Sequence, residues 1–291
     1  MTTRFTLPIE PDLKLDPVEA RAAGELLREE FQQAEPFPSI VLEDFLPDAL
    51  LAQCMAGFPE AALKSDGRFN MGYAGLHKRQ IMPEECDRQT QEIFWLFNSR
   101  GMLQFLEGLT GIEGLMPDPY FLGGGYHETT AGGLLGVHAD FRIHQQLNVQ
   151  RRLNLIIYLN KEWSDDWQGL LELWNRDMTR CVKRISPIAN RCVVFQTDAD
   201  TWHGHPDPLA TPEGVSRRSI ALYYYTASKA IHAEIPGKNT VYVARESDSA
   251  AVQREARRLR AWESLRDWVP PVAFRKLTSL RYRIEARLRR P

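Results

Sequence analysis

Cysteine is scarce in this chain, with four in 291 residues, and Cys54, Cys86, Cys181 and Cys192 stand too far apart to make any C-x-x-C pair. Neither a structural zinc site nor a disulfide framework is offered, and a reducing compartment suits such usage. Long apolar runs are missing too. No stretch approaches the roughly 20 apolar residues that cross a bilayer. The opening MTTRFTLPIEPDLKLD mixes charges and prolines where a secretion signal needs an apolar block. A cytoplasmic protein without a transmembrane segment is therefore expected. No fixed-period repeat, low-complexity tract, H-E-x-x-H helix or nucleophile elbow is found, which disfavours solenoids, disordered chains, zinc hydrolases and serine or cysteine hydrolases.

What is present reads as one folded core with extensions. Hydrophobic residues at 43% and charged residues at 25% are ordinary globular values, and 291 residues lie at the upper end of a single domain. The net charge of -2 hides an asymmetry: residues 251–291 hold twelve Lys and Arg against four Asp and Glu. A solvated helical face is the commoner source of such a tail, and peripheral contact with an anionic membrane is the sharper alternative. No nucleic-acid partner is expected.

Elements follow from periodicity and punctuation. A helix is predicted over Pro17 to Gln33, a strand over Ser39 to Phe45, a helix over Pro47 to Phe58, and helical structure from about Glu84 to Thr110. Residues 65–80 lack a clear period and read as a loop, and the stretch Ser65 to Arg79 is a possible lid over a site. From about Tyr120 the pattern changes to short β-rich runs such as LNLIIYLN, LLELWN, RCVVFQT and RRSIALYYYT, with no helices between them, which suggests an antiparallel barrel or sandwich. Residues 247–268 read as a basic helix. A second helix over Val272 to Arg290 would line up Phe274, Leu277, Leu280, Ile284 and Leu288.

The chemistry-bearing pattern starts at GVHADF. His138 and Asp140 are two apart, so in an extended chain they leave the same face and can share one ion. Such a tripeptide is common by chance. The order downstream is not: DTWHGHPDPL places His203 and His205 65 and 67 residues beyond His138, and a strand opening with Arg217 and Arg218 comes next. Two imidazoles and one carboxylate in a facial set leave positions for a bidentate keto acid and O2, which suits non-haem Fe(II). Strand parity puts Arg217, Ser219 and Ala221 on one face, and Asn154, Ile156 and Tyr158 on one face of LNLIIYLN.

Residues 120–226 resemble the double-stranded β-helix core of the iron(II)- and 2-oxoglutarate-dependent dioxygenases, prolyl 4-hydroxylase-like branch. The resemblance rests on H-A-D at 138–140, YLNKEW at 158–163, GLLELW at 169–174, H-G at 203–204 and RRSIALYYY from 217. It implies a mainly β fold with flanking helices (α+β), whose jelly-roll, cupin-like core carries N-terminal and C-terminal helices. It also implies Fe(II), 2-oxoglutarate and O2 as cofactors. His138, Asp140 and His203 would be the catalytic metal ligands, His203 being preferred to His205 because Gly follows it. Arg217 with Ser219 would anchor the distal carboxylate of 2-oxoglutarate, the R-x-S pair facing inward as in the family. Asn154, Tyr158 and Leu171 would line the same pocket.

The resemblance further implies an oxygenase that hydroxylates an unactivated C–H bond of a small metabolite, a sugar, or an amino-acid or peptide side chain, releasing succinate and CO2. Halogenases of the superfamily replace the carboxylate ligand with a small residue, so Asp140 points to hydroxylation or a related oxidation. Residues near the barrel mouth are candidates for substrate contact: His127, Arg142, His144, Trp174 and His205, together with Tyr126, Phe141 and Trp202. The expected division is an N-terminal extension over 1–119, the oxygenase core over 120–228 and a basic helical extension over 229–291. Two rival readings exist. A non-catalytic cupin-like metal- or sugar-binding module would need no buried Arg217, and a membrane-associated adaptor would act through its basic tail.

Overall fold

The first helix begins where the chain supplies a cap. Asp16 accepts from the backbone N–H of Val18 and Glu19, and Pro17 takes the first helical position, where its missing N–H is no loss. In the computed structural model, which describes residues 2–60, 67–227 and 240–268, β1 (Thr3–Arg4) precedes this helix, α1 (Pro17–Gln32). Its buried residues, Ala20, Gly24, Leu27 and Phe31, recur at helical spacing. β2 (Ser39–Glu43) and α2 (Asp48–Ala56) follow as expected.

Two readings of the first third change. The segment expected as a loop forms the hairpin β3 (Gly67–Phe69) and β4 (Leu76–Ile81). Its apolar alternation is hidden because the positions of β4 that face the interior are Lys78 and Gln80, as the pairing with β6 below shows. Residues 84–110 are not one helix but α3 (Arg88–Phe97) and α4 (Arg100–Thr110), because Ser99 accepts from the N–H of Met102 and caps a new start. α4 lies so close to α1 that a Cβ on Gly24 would come 2.2 Å from the Phe105 carbonyl oxygen.

The remaining strands are β5 (Met116–Pro117), β6 (Gly125–Ala139), β7 (Ile143–His144), β8 (Val149–Tyr158), β9 (Leu171–Trp174), β10 (Cys181–Ile185), β11 (Cys192–Gln196), β12 (His203–His205), β13 (Arg217–Ala227) and β14 (Val241–Tyr242), with α5 (Ala250–Trp268) after them. They pair in the order β1-β2-β11-β8-β13-β6-β12-β9-β10. β6 belongs to both halves of this path. Gly125 to Thr129 pair with β13, and Leu135 to His138 pair with β12, so the strand leaves the larger sheet and enters the smaller one. β4 pairs with β6, Lys78 opposite Thr129 and Gln80 opposite His127.

Strand parity sorts the two cores of this jelly roll. Leu153, Leu155 and Ile157 of β8 join Phe94, Phe97, Phe105, Phe45 and Tyr126 beneath the helices, on the outer face of the larger sheet. Tyr158, with Ile156 packed against it, faces the smaller sheet and meets Leu171, Leu173, Val193 and Phe195. Burying a side chain of this size is worth about 1.5–3 kcal/mol, so both faces of β8 hold it in register. Tyr126 thus lies under the helices, its hydroxyl donating to the Cys54 carbonyl at 2.8 Å, and not at the barrel mouth.

No helix among the described residues is long and apolar enough to cross a membrane. α5 follows the expected basic stretch, and Ala256 on it is buried. The apolar stripe from Phe274 to Leu288 lies outside the described residues.

Candidate active site

Register brings the two histidines together. His203 on β12 sits directly opposite His138 on β6, and their ring centroids are 4.4 Å apart. The approach needs Gly204, where a Cβ would meet the Gly136 and Leu135 carbonyl oxygens at 2.7 and 2.8 Å. Asp140 follows the end of β6, and one ligand atom from each of His138, Asp140 and His203 lies within 4.8 Å of the others.

Second partners orient the rings. His138 Nδ1 is 2.8 Å from the Gly136 carbonyl oxygen and His203 Nδ1 is 3.0 Å from that of Thr201. A carbonyl only accepts, so each Nδ1 carries the proton and each Nε2 keeps a free lone pair. Those Nε2 atoms point at Asp140, 3.6 Å from Oδ1 for His138 and 3.3 Å from Oδ2 for His203. Three ligand atoms on one side of a buried point fit a divalent ion with open positions opposite.

Asp140 is held in turn. Asn154 Nδ2 donates to its Oδ2 at 2.7 Å, and the Arg151 guanidinium lies 3.0 Å from the same oxygen. Arg151 also donates to Asn154 Oδ1 at 2.6 and 2.9 Å and lies against the rings of Tyr223 and Phe141. Burial would raise the Asp140 carboxyl, but Arg151 and the two histidines outweigh it and keep its pKa well below the usual value. Asn154, expected in the co-substrate pocket, hydrogen-bonds the candidate metal ligand Asp140. Arg151 was not anticipated. A bulge between β13 and β8 skips Arg152, so that Tyr225 pairs with Arg151, and simple alternation along β8 would have chosen Arg152.

Arg217 is the second buried cation. It is 6% exposed, and its Nε donates to the Gly169 carbonyl oxygen at 2.7 Å while its NH2 group donates to the Tyr158 hydroxyl at 3.2 Å. No carboxylate pairs with it among the described residues. Burial lowers its pKa and raises that of Tyr158. Ser219 and Leu171 are buried nearby, Ser219 paired directly with Tyr158. Arg218 turns outward to Glu60 and Glu128.

The remaining candidates separate. His127 faces inward beside Ser219, its Nε2 2.9 Å from the Gly123 carbonyl oxygen. Burial, then Lys78 and Arg217, push its pKa down to about 3. His205 is buried with Nδ1 unpartnered, and burial, Arg217 and Lys78 hold it well below the ordinary histidine value. His144 is occupied elsewhere, in a buried contact with Asp118 at 3.3 Å, and Arg142 reaches Asp198 at 3.2 Å. Leu173 shares the inner face with His203, so its neighbour Trp174 points to the other face, where its indole donates to Glu172. Trp202 donates to the Arg176 carbonyl oxygen. Phe141 packs on Arg151.

Residues 124–225 match the model of the 2OG-Fe(II) oxygenase superfamily. No curated protein matches the chain. Among solved structures, the non-haem alpha-ketoglutarate-dependent epimerase SnoN from nogalamycin biosynthesis is 15% identical, with 79% of this chain and 88% of that chain covered at a TM-score of 0.50, a likeness of fold. A prolyl hydroxylase from Trichoplax adhaerens, in complex with a hypoxia inducible factor peptide, is 16% identical over 72% of this chain and 91% of its own, at 0.49. A Pseudomonas putida prolyl-4-hydroxylase is 17% identical over 70% of this chain and 100% of its own, also at 0.49. Residues 124–225, which match that model, carry the triad that could hold the ion; this part of the chain is a 2OG-Fe(II) oxygenase domain, which makes the protein an Fe(II)- and 2-oxoglutarate-dependent enzyme that uses O2.

Proposed function

We propose that this enzyme hydroxylates an unactivated C–H bond of a small metabolite, a sugar, or an amino-acid or peptide side chain. His138, Asp140 and His203 would hold the iron, and Arg217 the distal carboxylate of 2-oxoglutarate. One observation carries the reading: Arg217 is a buried guanidinium with no acidic partner among the described residues. An uncompensated buried charge is costly, and an entering carboxylate is the partner it lacks.

Bound Fe(II) with 2-oxoglutarate and O2 supplies the oxidation, with succinate and CO2 as by-products. The chain's own groups bind, orient and exclude water. The Tyr158 hydroxyl accepts from Arg217, so its own proton is free to be donated to the same carboxylate. Leu171 and the apolar side chains around Tyr158 would cover the methylenes of the keto acid and keep water out. Asp140 fills the carboxylate position, which supports hydroxylation over halide transfer. The boundaries 1–119, 120–228 and 229–291 are proposed as the organisation around this core.

The test is anaerobic titration of the Fe(II) protein with 2-oxoglutarate, followed by O2 and assay of succinate. Arg217→Met is expected to weaken 2-oxoglutarate binding at least tenfold, in line with the roughly 1.5–3 kcal/mol of a charge-assisted hydrogen bond. A product gaining one oxygen atom supports hydroxylation. Unchanged binding in the variant, or no succinate from the wild type, would reject the reading.

A further inference from the structure

A third cation faces the same interior and has no counterpart among the described residues. Lys78 on β4 is directly opposite Thr129 on β6, and Thr129 is directly opposite Arg217 on β13. Opposed residues share a face, so Lys78 joins His127, Arg217 and Ser219 on the inner side of the larger sheet. Its electrostatic neighbours agree with that placement, namely Arg217, Asp140, His127 and His205. Among the described residues no hydrogen bond or ion pair reaches its ammonium group. The nearby acid Glu128 has the opposite parity and serves Arg79 and Arg218.

Each of the other cations has a use. Arg151 is matched by Asp140. Arg217 leans toward β9, onto the Gly169 carbonyl and Tyr158, where the proposed function places the co-substrate. Lys78 stands on the far flank, with β6 between it and β13, and the residue is half-buried, on the same side as imidazoles that burial keeps neutral. Burial and Arg217 push its pKa down to about 7, the direction expected of a cation short of an anion.

We propose that Lys78 is the docking cation for a carboxylate on the substrate, so that the enzyme acts on a small carboxylic acid or the free carboxylate of an amino acid. This rests on the functional reading above and narrows its substrate class. A single ammonium flanked by neutral imidazoles suits a monoanion better than a phosphate dianion, which calls for several charged donors.

The experiment uses the full chain loaded with Mn(II) and saturating 2-oxoglutarate, and follows the proton relaxation of butyrate or its neutral analogue butyramide. Butyrate is expected to relax through the bound ion and butyramide not. Lys78→Met is expected to weaken the butyrate effect at least tenfold, and Lys78→Arg to restore most of it. The proposal is overturned if both probes behave alike, if Lys78→Met leaves the butyrate effect intact, or if that variant loses 2-oxoglutarate affinity as strongly as butyrate affinity, since Lys78 would then belong to the co-substrate anchor. A wild-type protein that binds no 2-oxoglutarate with Mn(II) overturns the functional reading itself, and this proposal with it.

Discussion

At the scale of single residues, the candidate metal site depends on side chains one step behind His138, Asp140 and His203. Asn154 binds Asp140 Oδ2 and Arg151 together, which fixes the carboxylate's rotation between the two imidazoles. Removing such a partner typically lowers metal affinity about 10–100-fold. Asn154→Ala is therefore expected to raise the dissociation constant for Mn(II) or Fe(II) by that order while leaving the three ligands in place. Metal titration measures it, and an unchanged constant would show that Arg151 alone orients Asp140. Sequence spacing made the candidate ligands visible but not this support. Asn154 has the correct parity for the interior, yet its partner is settled by where Asp140 ends, and Arg151 becomes an interior residue only through the bulge at Arg152.

At the scale of elements, β12 is a short strand that must fit between β6 and β9. Gly204 allows it, and its substitution has a defined consequence. In Gly204→Ala the new methyl meets two backbone oxygens of β6, neither of which can swing away as a side chain would. Overpacking of this kind costs about 1–3 kcal/mol, and relief requires β12 to move and carry His203 with it. Loss of both urea stability and metal affinity is expected. A variant destabilised with metal affinity intact would mean that the strain relaxes away from His203. The β3–β4 hairpin belongs to this scale as well. No apolar period announces it, because Lys78 and Gln80 occupy the inward positions of β4, and only pairing with β6 makes it a strand.

At the scale of the whole molecule, the jelly roll gathers histidines and cations that lie far apart in the chain, and acid stability follows from that gathering. His127 has a folded pKa of about 3 against an ordinary 6.5, and His205 is also held well below that value. A histidine depressed in the folded state binds its proton more readily when unfolded. Its stabilisation is therefore complete above about 6.5 and is lost as the pH falls toward 3. The melting temperature of the metal-free protein is expected to fall on acidification from pH 7 through this window, and His127→Gln to make the fall shallower. Equal slopes in the two proteins would show that His127 is already protonated in the folded chain. Asp140, depressed below 3.8, keeps its contribution across most of that window.

The residues by themselves determined the chemistry that is possible and much of the fold class. H-A-D, a distant H-G and an inward R-x-S carry an order and a parity that survive in any extended pairing, and the period-two strands after Tyr120 excluded helical connectors. Strands β8 and β13 follow that alternation because each has one face under the helices and one toward the smaller sheet and the candidate metal site. Tertiary structure decided the rest, since it turns on partners remote in sequence. It put Tyr126 under the helices, turned Trp174 to the outer face, engaged His144 with Asp118, and brought Arg151 to Asp140 and Lys78 to the wall beside Arg217. A bulge, an edge pairing and a buried charge without its counterpart are properties of neighbours in space, and a single strand's pattern does not contain them.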